Sequence, residues 1–244
     1  PGAVPCLSDA LSNPDADVTF RIRVAETCGR IAGDAAIALL RARMDTDDRR
    51  LRTAILHALD RADYRASAAD RGNIDDMLWQ ELADAAWIMG AIVDVGLAGQ
   101  QDSTPLRRAL EHRLQQIRDR CLQLLCFTGD SETLKRASEQ LHSDRADQRA
   151  YALEVLDTAL SGDTRRLLMT LFEAMPTEEA LQRMSTTFPQ RLLGRTQRLS
   201  LLITPGGHRL EPWIRACAVH SALWMTQTSL ASDLLQRLND ESRL

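Results

Sequence analysis

The residue types best suited to metal or nucleophilic chemistry are scattered along this chain. Its histidines, His57, His112, His142, His208 and His220, stand far apart. None belongs to an HExxH pair, the spacing that puts two imidazoles on one helix face for zinc. Cys121 and Cys126 form the nearest thiol pair, but a five-residue step turns about 140° around a helix. No second pair completes a tetrahedral ligand set. There is no GxSxG elbow and no Gly-rich phosphate loop following a strand. Gly206 and Gly207, after Pro205, read as a turn. Asp75 and Asp76 read as carboxylates complementing a helix dipole, not as a catalytic pair. The expectation is a chain with no catalytic, cofactor-binding or metal site, and hence no enzyme activity.

The tryptophans invite a binding reading beside a packing one. Trp79 and Trp87 are eight residues apart, Trp213 and Trp224 eleven, which places each pair within about 80° and 20° on a helix. Such spacing is first of all core packing. Its alternative is an aromatic anchor on an exposed face.

The elements that must carry these residues are helices. The 244 residues hold 37 Leu and 32 Ala against 7 Val and 10 Ile, a balance that favours helix over pleated strand. Six Tyr plus Phe are too few for a barrel or sandwich. A net charge of −4 argues against a general nucleic-acid binder. Arg pairs 49/50, 107/108 and 165/166 are the residues that could build a basic stripe, yet Asp47, Asp48 and Asp163 stand beside them. Five cysteines, Cys6, Cys28, Cys121, Cys126 and Cys217, in apolar contexts suit buried thiols in a reducing compartment. The most apolar stretch, 83–99, contains Asp84 and Asp94 and is too short to span a bilayer. No signal peptide is read at the start, which lacks an initiator Met; the expectation is a fragment of a longer chain.

A repeat organises the helices. The phrase at 20–31, FRIRVAETCGRI, with Gly29 closing it, returns as RRLRTAILHALD, QRAYALEVLD and WIRACAVHSAL. The arginines in register, Arg21, Arg52, Arg149 and Arg215, are separated by 31, 97 and 66 residues, multiples of a unit near 32. Each follows an acid by a few positions: Asp17, Asp48, Asp144 and Glu211. The acids are expected to cap helix starts. Each Arg is expected to reach the acid of the neighbouring unit, forming a ladder along the array. Long helices are expected from Ile74, capped by Asn73, and from Pro105. Further helices are expected at 163–174, 178–187, 192–203, 211–226 and 229–239. The expected fold is all-α, an α-solenoid of about six or seven helix pairs. It forms a single domain, 1–244, with a kink around 73–128.

The phrases resemble HEAT and HEAT-like repeats of the phycobilin-lyase type, through Arg21, Ala25, Cys28 and Gly29 in the first unit and Arg52, Ala54, Ala58 and Leu59 in the second. Residues 149–174 and 213–222 further resemble HEAT regions of bacterial proteins fused to membrane transporters of the nucleotide-translocase or major-facilitator type. The resemblance implies a non-catalytic protein-binding or regulatory scaffold without cofactors. Its implied partner is another protein or a transporter domain of the same chain, and its implied location is cytoplasmic, tethered to the inner membrane through parts not present. Nucleic acid is not an expected partner. Other HEAT-like classes supply the alternatives, a bilin lyase-like protein or a DNA-binding glycosylase.

Overall fold

A computed structural model describes residues 3–96, 104–129, 131–204 and 210–223. Among them are twelve α-helices and no strand: α1 (Ala3–Ser12), α2 (Val18–Ile31), α3 (Asp34–Arg41), α4 (Arg49–Arg61), α5 (Arg71–Gly96), α6 (Thr104–Thr128), α7 (Ser131–Leu141), α8 (Ala146–Ala159), α9 (Gly162–Phe172), α10 (Thr177–Met184), α11 (Arg195–Ile203) and α12 (Pro212–Leu223). The expected all-α class, built of helices packing on their chain neighbours, is what the structure has. The residues divide into two compact units, 1–82 with 118–169, and 83–117 with 170–244.

In the first unit, local chemistry sets where helices begin. Asp17 Oδ1 accepts from the amides of Thr19 and Phe20 at 2.8 and 3.2 Å, and Asp48 Oδ1 from those of Arg50 and Leu51 at 2.9 and 3.0 Å. Two of the four orphan amides at each helix start are thereby satisfied. Asp144 does not repeat the device. At that turn the side chain of Ser143 accepts from the amide of Arg145, and α8 starts one residue later. Asn73 also departs from expectation: α5 begins at Arg71, so Asn73 lies inside its first turn. Asp75 and Asp76 then fall beyond the first turn, where the dipole has faded.

Helices α2 and α4 stack in parallel, one repeat apart. A Cβ built on Gly29 would stand 2.7 Å from Ala58 Cα and 2.8 Å from its Cβ. At the other end of the pair, Asp17 feels the charge of Arg50. Gly29 therefore does not close α2. It lies within the helix and lets a neighbouring backbone approach, while the terminating residue is Ala32, left-handed at φ 48°, whose amide bonds Cys28 O. Leu51, Ile55, Leu56 and Leu59 fill the seam together with Val24, Ala25 and Cys28, all buried.

The register arginines make a different bond from the one expected. Arg21 Nε donates to Leu11 O at 3.1 Å, Arg52 Nε to Thr46 O at 3.0 Å, and Arg149 Nη1 to Ser143 O at 2.7 Å. Each guanidinium thus ties its helix to a carbonyl at or just beyond the end of the helix before it, where backbone acceptors lack intrahelical donors. The expected acid-to-Arg ladder is not what these three arginines form, and Asp17 and Asp48 are spent on their own amides. Arg52 alone among these three reaches toward a later helix, 3.9 Å from Glu81 of α5. Glu81 is itself buried and held by two bonds from Arg120 of α6, 2.8 and 2.7 Å.

The second unit has its own buried charge. Asp94 of α5, fully buried, accepts from Arg198 Nε at 2.8 Å and lies 2.7 Å from Arg198 Nη2. Its other oxygen accepts from the amide of Leu193 at 3.1 Å. The chain from Pro189 to Gly194 is not helical, and α11 starts at Arg195, three residues later than expected. Outside a helix, the Leu193 amide is available to Asp94. In the same unit the buried Arg113 has its Nη1 3.4 Å from Glu211.

Candidate functional site

An open groove of about 810 Å³ runs along α2 and α4 in the first unit. Its residues follow from helical spacing. On α4, Arg50, Ala54, His57 and Arg61 recur at intervals of four, three and four, which keeps them on one stripe. On α2, Glu26 and Arg30 are one turn apart and 3.9 Å from each other. The floor is made of small side chains, Thr53, Ala54 and Ala58. The opposite face of each helix carries the buried Leu, Ile and Val, so the seam fixes which residues the groove receives.

The electrostatics favour anions. Arg30, Arg50, His57 and Arg61 are exposed. Of the two acids lining the groove, Glu26 is paired with Arg30, and Asp60 lies 3.1 Å from Lys135 Nζ. Neither Arg50 nor Arg61 forms a salt bridge among the described residues. His57 Nδ1 is 2.6 Å from Gln123 Nε2 of α6, which holds the imidazole at one wall. Just outside, Lys135 also reaches Asp63 at 3.3 Å, and that hydrogen bond, with Arg65 beside it, keeps the Asp63 carboxyl below the usual range.

The other residues singled out in the sequence do not assemble. His112 Nε2 is 3.2 Å from Gln116 Nε2, and His142 lies between Ser138 O at 2.9 Å and Asp119 Oδ1 at 3.1 Å. His220 is exposed near the end of α12. His208, Trp224, Pro205, Gly206, Gly207 and the helix expected at 229–239 lie outside the described residues. Among those described, no group of His, Cys, Asp or Glu is disposed to hold a metal ion, and no helix is long and apolar enough to cross a membrane. Cys121 and Cys126 are both buried, and burial pushes the Cys126 thiol up to about 11 and raises that of Cys121 further.

Two expectations on surface residues need correction or narrowing. Trp213 is 66% exposed at the start of α12, so it is not core. Trp79 and Trp87 are half-buried, and the Arg198 guanidinium carbon lies 5.1 Å from the centre of the Trp87 ring. The arginine pairs do not form free basic surface throughout. Arg107 pairs with Glu111 at 2.8 Å, Arg165 grips Asp157 with two bonds of 2.6 Å, and Arg166 pairs with Asp163 at 3.2 Å. The groove was hidden in the repeat: its signal is the spacing of Arg50, His57 and Arg61 on the face opposite the Leu seam.

Residues 1–60 match the family model of HEAT repeats. That match supports a HEAT-like repeat domain. It covers α1 to α3 and nearly all of α4, and so contains most of the groove and both capping aspartates. No curated protein and no solved structure matches the chain. Within the matched segment the repeat geometry is visible residue by residue: capped first helix, Arg tied to the preceding turn, and close approach at Gly29 and Ala58.

Proposed function

We propose that this chain is a non-catalytic, protein-binding or regulatory scaffold, and that the groove along α2 and α4 is a surface it uses. HEAT repeats generally act as protein-interaction scaffolds, and the match to them covers the helices that form this groove. The observation that carries the reading is the groove itself. Ala58 at its floor packs against Gly29, but Arg30, Arg50 and Arg61 face outward from a seam that is already filled and are not needed to hold the helices together. A stacked array buries each helix pair against its neighbours and leaves side chains along one face for partners.

The finer reading places the scaffold in the cytoplasm, attached to a membrane transporter of the nucleotide-translocase or major-facilitator type. It is supported by the likeness of residues 149–174 and 213–222 to transporter-linked HEAT regions. Reading the parent gene on both sides of this segment tests it, since a run of apolar spans about 20 residues long is the expected finding.

A photo-crosslinking residue at position 57 tests the scaffold reading. In extract of the source cells, a discrete adduct that unlabelled chain competes away is expected. Diffuse labelling that competitor leaves unchanged would overturn the assignment of the groove, and substrate turnover by the pure chain would overturn the non-catalytic reading.

A further inference from the structure

We infer that the α2/α4 groove takes an acidic peptide segment, bound in extended form, with two carboxylate side chains about five residues apart. The inference rests on the scaffold reading and specifies its partner. Arg50 and Arg61 are eleven residues apart on one stripe of α4, a separation of about 16 Å along the axis. An extended chain covers that distance in about five residues. Between the two guanidinium groups the floor is Ala54, Thr53 and Ala58, small enough for a peptide backbone to lie close.

Charge decides what kind of chain fits. Both acids that line the groove already have cations, Glu26 through Arg30 and Asp60 through Lys135. Arg50, within electrostatic reach of the already capping Asp17, and Arg61 remain as exposed donors without a salt bridge among the described residues. Each can offer a planar, two-pronged contact to a carboxylate. Nucleic acid fits less well. No Phe, Tyr or Trp lines the groove to stack successive bases, and two separated guanidinium groups match two carboxylates better than a continuous phosphate backbone.

A random peptide library displayed on phage, panned against the purified chain, tests the inference. Selected peptides should be enriched in Asp and Glu at a spacing near five. A synthetic copy of the strongest should lose affinity at least about tenfold with R50E/R61E, and lose it steadily as salt is raised. Arg145→Glu, on an exposed residue outside the groove, should leave binding unchanged. Circular dichroism and thermal unfolding of R50E/R61E should match the parent, since both side chains are exposed. Selected peptides without acidic enrichment, or acidic ones insensitive to R50E/R61E, would overturn the acidic-groove inference while leaving a scaffold in place. Failure of any peptide to bind, with a single-stranded oligonucleotide held by the groove in its stead, would sink both.

Discussion

Arg198 and Asp94 form a buried ion pair across 104 residues of sequence, with Nη2 and Oδ2 2.7 Å apart and exposures of 2% and 0%. The carboxylate is saturated by the guanidinium on one oxygen and the Leu193 amide on the other. The arginine in turn packs over Trp87. Gly90 of α5 lies beside it, and a Cβ there would stand in ordinary contact, 3.4 Å from Arg198 Nη2. A pair so placed locks α11 to α5, because either charge alone would be stranded out of water.

Removing one partner should therefore cost more than removing both. Arg198→Met is expected to destabilise the fold by about 3–5 kcal/mol, while Asp94→Leu with Arg198→Met should recover most of that loss. Recovery stops short of complete, since the Leu193 amide then lacks its acceptor. Urea denaturation of the two variants checks this. Equal losses in the single and double variants would show that the pair contributes little.

Gly29 offers a steric test of the repeat stack. Its missing side chain is the space occupied by Ala58 Cα, Cβ and O, the nearest at 2.7 Å. Gly29→Ala should destabilise by about 1–3 kcal/mol despite the better helix propensity of alanine. Adding Ala58→Gly removes one of the three clashing atoms, so partial rescue is expected. Thermal unfolding of the single and double variants reads the coupling directly, and a stabilised Gly29→Ala would rule out the close approach.

Thiol chemistry should resolve the cysteines. Cys6 is exposed on α1, whereas Cys28, Cys121, Cys126 and Cys217 are buried and have their thiols pushed up by burial. A disulfide reagent at neutral pH should consume one thiol fast and the other four only after denaturant is added. Cys6→Ser should abolish the fast phase. Rapid reaction at two or more sites in the native protein would contradict the burial of the helix seams.

The sequence is most informative where interactions are local. Asp17 and Asp48 are readable as caps because a cap acts within three residues, and the spacing of Arg21 and Arg52 announces the repeat. What those arginines bind is not readable, since a period selects a helix face without saying whether a carboxylate or a carbonyl lies opposite. Gly29 shows the same limit: a glycine near a helix end suggests termination, and only the neighbouring Ala58 reveals a close approach. Asp94 with Arg198, and Glu81 with Arg120, pair residues 104 and 39 positions apart. Asp94 stands out as an acid in the apolar stretch 83–99, but nothing in either sequence neighbourhood names the partner. Trp213 reads as core by its spacing, yet it is exposed because α12 turns Ile214, Cys217 and Ala218 inward. The groove was half legible, as Arg50, His57 and Arg61 keep helical spacing, but its second wall depends on which helix stacks beside α4.

Tyr64 supplies a pH test with a fixed sign. Its ring meets Phe127 edge-on with centroids 5.3 Å apart, and its hydroxyl donates to Asp70 Oδ2 at 3.0 Å. Burial first, and then the bond to Asp70, push the phenol from 10 up to about 12. Folding thus favours the protonated phenol. Its contribution is whole below pH 10 and is lost as the pH rises toward about 12, because the unfolded chain ionises first. Asp70 has the opposite sign: hydrogen bonding from Ser67, followed by that from Tyr64, holds its carboxyl low. Its contribution is therefore present above the ordinary carboxylate range and fades in acid. Stability measured by denaturant titration across the alkaline range should decline from pH 10 upward, and Tyr64→Phe should flatten that decline while lowering stability at neutral pH. An unchanged alkaline slope in Tyr64→Phe would mean that the phenol is not held by Asp70 and the Phe127 contact. Asp70→Asn should leave the alkaline decline present but smaller, since burial, the larger cause, remains.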